Sequence, residues 1–185
     1  MAKVANNIFV RGLTGSLGDQ FVVRKGRGGE TIISNKPTFS PDRTFNSNQV
    51  AAQDAFRMAI AYAKTARNQD VYVLKSQGTS KTAFNVAVAD WFNEPEVLAL
   101  DLSGWTKDAN QTIRVQAQDD TYVASVHVVI RDENNVILEE GDAVRSDGLW
   151  WTYTTLQHVA QPGIHTVIAQ AFDLAGNKDE LTLGK

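Results

Sequence analysis

The hydrophobic pattern changes its period near Pro95, and this change constrains the fold of the 185-residue chain more than any other feature. Upstream, the apolar residues of segment 84–91 recur at the i, i+3, i+4, i+7 spacing of one helix face. Downstream, apolar and polar residues alternate, as they do in half-buried strands. We therefore predict an α+β part over residues 1–95 and an all-β part over residues 96–185.

Short β-prone runs joined by glycine-rich turns predict a β-meander at the start of the chain. The predicted strands are 7–11, 19–24 and 30–34. Two helices are expected to follow, one from about residue 48 and one capped by Thr79–Ser80 and stopped at residues 93–95. Between them, segment 70–74 is too short to assign, although its Val-Tyr-Val favours a strand by propensity.

The N-terminal half resembles a group of uncharacterised bacterial proteins from Bacteroidota and related phyla. The motifs that carry this resemblance are Gly-Ser-Leu-Gly-Asp-x-Phe-Val-Val-Arg at 15–24, Gly-Gly-Glu-Thr-Ile-Ile-Ser-x-Lys-Pro at 28–37, and Thr-Ala-Phe-Asn-Val-Ala-Val-Ala-Asp-Trp-Phe-Asn-Glu-Pro at 82–95. The resemblance spans about half of the chain and implies no activity.

In the C-terminal half, seven short alternating runs at regular spacing predict an immunoglobulin-like β-sandwich. The predicted strands are 97–102, 112–117, 122–130, 136–139, 148–154, 164–172 and 180–183. The segment Pro-Gly-Ile-His-Thr-Val-Ile-Ala-Gln-Ala-Phe-Asp-Leu-Ala-Gly-Asn at 162–177 resembles the last hairpin of bacterial immunoglobulin-like domains. That resemblance implies a spacer, an adhesive module or an assembly unit rather than a catalyst.

Charge is divided unequally between the two parts. The net charge of −3 combines +5 over residues 1–95 with −8 over residues 96–185. This asymmetry is compatible with ordinary solvated surfaces, with attraction inside one molecule, with a basic half that meets nucleic acid, or with head-to-tail contacts between copies. The overall charge argues against a nucleic-acid partner. The sequence contains no run of about 18 apolar residues, so no membrane span is predicted.

No set of residues predicts catalysis. The chain has no Cys, which excludes thiolate metal sites and cysteine nucleophiles. Its histidines (His127, His158 and His165) lack metal-binding spacing, and there is no Gly-x-Ser-x-Gly elbow. We therefore predict no enzyme activity, no catalytic residue and no cofactor.

Acidic turns and tryptophans are the remaining candidates for ligand binding. Turns containing Asp119–Asp120, Asp132–Glu133 and Asp173 could hold calcium, but turn aspartates also bond their own backbone, so no metal site is predicted. The aromatic residues that could face a glycan are Trp105, Trp150 and Trp151. Because adjacent strand residues point to opposite faces, one of Trp150 and Trp151 is expected in the core.

The favoured function is a non-enzymatic structural subunit that self-assembles into a filament, sheath or particle through strand edges and opposite charges. The predicted assembly contacts are Ile8, Phe9, Val10, Arg24, Lys25, Arg27, Leu181 and Leu183. The alternatives are a glycan- or surface-binding adhesion module and a phage or contractile-injection accessory protein. We expect assembly outside the cell or at its surface, although the first residues do not resemble a secretory signal peptide. If the protein does not assemble there, we expect a cytoplasmic location.

Overall fold

The N-terminal strands form a small antiparallel sheet with four members. The computed structural model describes residues 2–4, 9–10, 12–159 and 163–185. The strands are β1 (Ala2–Val4), β2 (Gly15–Leu17), β3 (Phe21–Lys25) and β4 (Thr31–Asn35). They pair in the order β1-β4-β3-β2, which we call the N-terminal sheet. β3 and β4 lie at its centre and correspond to two of the predicted strands.

The first predicted strand, 7–11, is wrong at the residues that can be checked. Phe9 and Val10 lie in a turn, and Ile8 falls outside the described residues. The Val10 carbonyl accepts hydrogen bonds from the Leu13 amide and from Thr31 Oγ1, both at 3.3 Å. Strand pairing instead uses β1, near the start of the chain, and β2, inside the predicted glycine-rich loop.

Three helices follow: α1 (Ser47–Ala66), α2 (Asp70–Ser76) and α3 (Ala83–Phe92). Asn46 begins α1 with a capping box, because its side chain accepts from the Gln49 amide while the Gln49 side chain accepts from the Asn46 amide. Thr82 caps α3, rather than the predicted Thr79–Ser80. Within the described residues, no helix is long and apolar enough to cross a membrane.

Segment 70–74 is helical, against its strand propensity. Tyr72 in α2 is fully buried in a cluster that includes Ala63 of α1 and Ala87 of α3. Burying a large aromatic ring against two helices outweighs propensity differences of about 1 kcal/mol per residue or less. Tertiary packing therefore decides the conformation of this short segment.

The C-terminal part contains seven strands, the number predicted from alternation. They are β5 (Glu96–Asp101), β6 (Thr112–Gln118), β7 (Val123–Arg131), β8 (Ile137–Asp147), β9 (Trp150–Thr154), β10 (Thr166–Asp173) and β11 (Lys178–Gly184). Pairing runs in the order β11-β10-β7-β8-β9-β6-β5, and β5 lies beside β11. The result is a β-sandwich that closes almost into a barrel.

β8 belongs to both layers of the sandwich. Its first half pairs with β7, and its second half, from Val144 to Asp147, pairs with β9. The layers enclose an apolar core that includes Trp105, Ile113, Val115, Val126, Ile130 and Val167. Alternating burial along β6 and β10 shows that the period-2 pattern identified the core-facing positions.

Helix α3 is attached to the sandwich by the β10–β11 turn. The Asn177 side-chain amide donates to the backbone carbonyls of Asp90, Trp91 and Asn93 at 3.2 to 3.3 Å. It also donates to Asp173 Oδ2 at 2.7 Å, which fixes its orientation. These carbonyls lie at the end of α3, where backbone acceptors lack helical partners. We call this contact the α3–sandwich joint. The division of the chain into two domains, residues 1–95 and 96–185, remains a prediction.

Replacing the donor of this joint should destabilise the protein. Asn177→Asp would place carboxylate oxygens against three carbonyls and Asp173, leaving acceptors without donors. We expect the free energy of unfolding to fall by about 2 kcal/mol, measured by urea denaturation. Asn68→Asp makes the same chemical change at an exposed position and should lower it by less than about 0.5 kcal/mol. Equal effects of the two substitutions would contradict a role for Asn177 in the joint.

Candidate functional site

Three carboxylates from two separate elements converge next to the α3–sandwich joint. Asp90 lies in the last turn of α3, whereas Asp119 and Asp120 lie in the turn between β6 and β7. Each offers one carboxylate oxygen, and these oxygens all lie within 4.8 Å of one another. We call these residues the carboxylate cluster. The sequence pointed to Asp119 and Asp120 as an acidic turn but missed Asp90.

Asp90 is the buried member of the cluster, with no exposed surface. Its Oδ2 accepts a hydrogen bond from the Tyr72 hydroxyl at 2.5 Å, and that hydroxyl also bonds the Tyr62 hydroxyl at 2.5 Å. Its Oδ1 is buried and has no hydrogen-bond partner among the described residues. Burial, with added repulsion from Asp173 and Asp119, raises the pKa of Asp90 to about 6, although hydrogen bonds from the Tyr72 and Thr121 side chains oppose the increase.

The turn carboxylates are held in place by hydrogen bonds that leave part of their acceptor capacity unused. Asp119 Oδ1 accepts from the Thr121 and Tyr122 amides, both at 2.6 Å. Its Oδ2 is buried and has no hydrogen-bond partner in the part of the chain that the structure describes. Asp120 Oδ2 accepts from the Asn93 side chain at 2.8 Å, which links this turn to the residue that ends α3.

A cavity of about 370 Å³ opens beside the cluster. It is lined by Glu94, Glu96, Gln118, Asp119 and Asp120, so it is strongly acidic. Asp173 lies nearby, and its pKa is raised by burial and by the charge of Asp119, against its hydrogen bonds from Asn177. The arrangement concentrates negative charge at the place where the helices meet the sandwich.

One feature of the sequence could have identified Asp90, namely its position on the apolar face of α3. It follows Ala87 by three residues and Val86 by four, and both of those residues are buried on the inner face of α3. A carboxylate on the buried stripe of a helix is expensive unless it is paired, protonated or bound to a cation. Nothing in the linear order showed that this helix face meets the Asp119–Asp120 turn.

The tryptophans proposed as a glycan platform do not form one. Trp105 is fully buried and Trp151 is 7% exposed, so neither ring offers a face to a ligand. Trp150 is half-buried on the opposite side of β9 from Trp151, and the Arg114 guanidinium lies 4.5 Å from the centre of its ring. Burial therefore removes Trp105 and Trp151 from the candidate ligand-facing aromatics.

Among the described residues, the histidines do not assemble a catalytic group. His127 Nδ1 lies 2.8 Å from Asp142 Oδ1, and His158 Nδ1 lies 2.6 Å from Asp108 Oδ1. Both are pairs between side chains on the protein surface. His165 is buried, with its ring edge-on to Trp105.

The predicted acidic turn at Asp132–Glu133 binds its own backbone, since Asp132 accepts hydrogen bonds from the Asn134 and Val136 amides.

Apart from Ile8, Phe9 and Val10, the predicted assembly residues fall into two groups in the structure. The basic residues of the first group, Arg24, Lys25 and Arg27, are exposed at the end of β3 and in the turn after it. In the second group, Leu181 packs partly against the sandwich core, and Leu183 is 39% exposed. Because β11 has β10 on one side and β5 on the other, its edge is less open to strand addition than the sequence suggested.

One face of the N-terminal sheet is apolar; it is buried at Val23, which is 5% exposed, and open to solvent at Leu17 and Phe21. Leu17 is paired with Phe21 and Val23 with Ile33, so these four side chains share one face. We call it the apolar face. Leu17 is 59% exposed and Phe21 38%, and Leu13, Leu17 and Val23 line a depression of about 50 Å³. No described helix or sandwich strand packs extensively against this sheet.

No family model matches the chain, and no curated protein matches it. Among solved structures, an engineered protein aligns at 20% identity and TM-score 0.36 over 55% of this chain and 26% of its own. CopC from Methylosinus trichosporium OB3b aligns at 15% identity and TM-score 0.36, over 49% and 90% of the two chains. A conjugative transposon lipoprotein from Bacteroides eggerthii DSM 20697 aligns at 13% identity and TM-score 0.25, over 50% and 94%.

These similarities carry no argument about function, because each TM-score lies below 0.5. The present chain spans about a quarter of the engineered protein. The carboxylate cluster and the apolar face are therefore interpreted from their own geometry.

The raised pKa of Asp90 predicts a pH-dependent stability. Its pKa moves from 3.8 to about 6, so the folded state holds the proton more tightly than the unfolded state. The raised pKa therefore adds about 3 kcal/mol to the free energy of unfolding below about pH 4, and this contribution is lost as the pH rises through about 6. The charged groups that face Asp90 are Asp119, Asp120 and Asp173, all of which repel its ionised form.

Denaturation in a chelator-containing buffer should show this loss between about pH 4 and pH 7. Asp90→Asn keeps an acceptor for Tyr72, cannot ionise, and should reduce the loss by up to about 3 kcal/mol. The exposed Asp54→Asn is the control and should leave the pH dependence as in the parent protein. An unchanged pH dependence in Asp90→Asn would show that Asp90 does not titrate with a raised pKa.

Proposed function

We propose that this chain is a non-enzymatic structural subunit that assembles with further copies of itself through its N-terminal sheet. The observation that carries this proposal is the apolar face, with Leu17 and Phe21 exposed to solvent. Isolated sheets of three- to five-residue strands are marginal in water unless a hydrophobic face is covered. A second copy supplies that cover, and the depression beside Leu13 and Val23 can receive an apolar side chain from it.

Charge indicates which part of the second copy lies opposite. Arg24, Lys25 and Arg27 form a basic rim at one end of the N-terminal sheet. The C-terminal part carries a net charge of −8, whereas residues 1–95 carry +5. Complementary charges on opposite ends of a subunit favour a head-to-tail contact, which generates a ring or a filament. Because this contact is heterologous, assembly can continue beyond a dimer.

The strand order supports the finer description of the C-terminal part as immunoglobulin-like. In such sandwiches the first, second, fifth and fourth strands form one layer, and the third, sixth and seventh form the other. Here β5, β6 and β9 lie together, β7, β10 and β11 lie together, and the fourth strand, β8, joins the two layers. Sandwiches of this kind serve as spacers and assembly units, which fits a filament, sheath or particle at the cell surface or outside the cell.

Disrupting the apolar face should dissociate the assembly without unfolding the subunit. Leu17→Lys and Phe21→Lys place charges at exposed positions, so we expect folded monomers whose melting temperature no longer rises with protein concentration. The parent protein is expected to sediment as larger species at concentrations of about 100 μM and to form regular particles in electron micrographs. Leu74→Lys, at a position 64% exposed on α2, is the matched control and should assemble normally.

A parent protein that remains monomeric at this concentration would contradict the proposal. Assembly that persists in both Leu17→Lys and Phe21→Lys would contradict the assignment of the apolar face as the contact.

Reversing the basic rim should test the charge contribution separately. Arg24→Glu combined with Arg27→Glu should weaken self-association at least about tenfold in sedimentation equilibrium, because the rim would then repel the acidic sandwich. Raising the salt concentration from about 50 mM to about 500 mM should weaken association of the parent protein but not of this variant. Lys64→Glu combined with Lys81→Glu changes the net charge by the same amount at exposed positions outside the rim and is the control. Equal weakening by the control and the rim variant would contradict a specific role for the rim.

A further inference from the structure

The carboxylate cluster forms no ion pair with the described residues. Asp90, Asp119 and Asp120 bring three carboxylate oxygens within 4.8 Å of one another. Among the described residues, no lysine, arginine or histidine nitrogen forms an ion pair with any of them. Lys75 is close, but its Nζ donates to the backbone carbonyl of Asp120 at 3.1 Å. Like charges at this separation repel strongly unless a proton or a cation lies between them.

A second observation points to a ligand rather than to a solvated acidic surface. Asp90 is fully buried, and its Oδ1 is buried without a hydrogen-bond partner in the described part of the chain. Asp119 Oδ2 is likewise buried and lacks a partner there. A buried acceptor without a partner costs about 1 to 3 kcal/mol, and more when it is charged. Both oxygens belong to carboxylates of the cluster, so a cation bound there would lie against the two residues that carry them.

We propose that Asp90, Asp119 and Asp120 bind one calcium ion, which joins helix α3 to the β6–β7 turn. The donors are oxygens alone, which is the ligand set of hard divalent cations. Calcium accepts six to eight oxygens in irregular geometry, whereas magnesium demands a near-ideal octahedron. The acidic cavity lined by Glu94 and Glu96 gives access for the ion and space for the water ligands that complete its shell.

Calcium would act at the same place as the α3–sandwich joint but through different atoms. Asn177 holds the backbone carbonyls at the end of α3, and Asn93 connects that end to Asp120. The ion would add a bridge through the Asp90 side chain, in the last turn of the helix. Its effect would be to stabilise the attachment of the helices to the sandwich. This inference is independent of the proposed self-assembly, since the apolar face shares no residue with the cluster.

The test compares chelator-treated full-length protein with and without calcium at about pH 7.5, where carboxylates are ionised. About 10 mM CaCl2, tenfold above the dissociation constant of weak protein sites, should raise the melting temperature by about 5 °C. Calorimetric titration should fit one ion per chain. Magnesium at the same concentration should give less than half of the shift. Terbium bound in place of calcium should luminesce on excitation of the protein, because Tyr72 bonds directly to Asp90.

Two variants and one control distinguish a specific site from general charge effects. Asp119→Asn keeps the Oδ1 acceptor for the Thr121 and Tyr122 amides, and Asp120→Asn keeps an acceptor for Asn93, so both should fold. Each should reduce calcium affinity at least about tenfold and abolish most of the thermal shift. Asp132→Asn is the matched control, because Asp132 Oδ1 also accepts from two backbone amides of a turn.

The proposal is wrong if calcium produces neither a heat of binding nor a thermal shift in the parent protein. It is also wrong if Asp132→Asn loses the shift as much as the two cluster variants do. An equal shift with magnesium would overturn the assignment to calcium. The melting temperature and the calcium titration are measured on Leu17→Lys as well as on the parent protein. Calcium binding is therefore tested separately from self-assembly, and failure of one does not imply failure of the other.

Discussion

The side-chain amide of Asn177 holds the two parts of the chain together, and the geometry of the candidate site depends on it. One donor group serves the carbonyls of Asp90, Trp91 and Asn93 at the end of α3, where backbone acceptors run short of helical donors. Asp173 fixes the orientation of that amide from the same turn. A tight turn between two sandwich strands thus performs the capping that the helix sequence does not provide for itself.

The same joint brings negative charge into a buried position. Once α3 is fixed, Asp90 faces the Asp119–Asp120 turn, and its carboxylate has Tyr72 as a donor on one oxygen only. A proton satisfies this arrangement at low pH, and a divalent cation satisfies it when the carboxylates are ionised. Stability and ligand binding are therefore linked at this position, because whatever neutralises the cluster also strengthens the attachment of the helices.

The N-terminal sheet presents the opposite physical situation. It has complete backbone pairing between its strands, yet Leu17 and Phe21 remain exposed on a face that no other described element covers extensively. Backbone pairing alone does not stabilise so small a sheet in water. Contact with another copy would supply the missing apolar burial, and the basic rim at Arg24 and Arg27 would orient that copy relative to the acidic sandwich.

Local pattern in the sequence located the seven sandwich strands, α1 and α3, because period 2 and period 3.6 each reflect burial of one face. It ended the fourth sandwich strand at residue 139, whereas β8 continues to Asp147. It did not determine the helical state of 70–74, since the burial of Tyr72 between α1 and α3 is a long-range contact. Nor did it place the first strand, because β4 pairs with residues 2–4, whereas Phe9 and Val10 of the predicted strand lie in a turn. Only the tertiary structure brought Asp90 to Asp119, because the helix and the turn that carry them meet through long-range contacts, among them the hydrogen bond from Asn93 to Asp120.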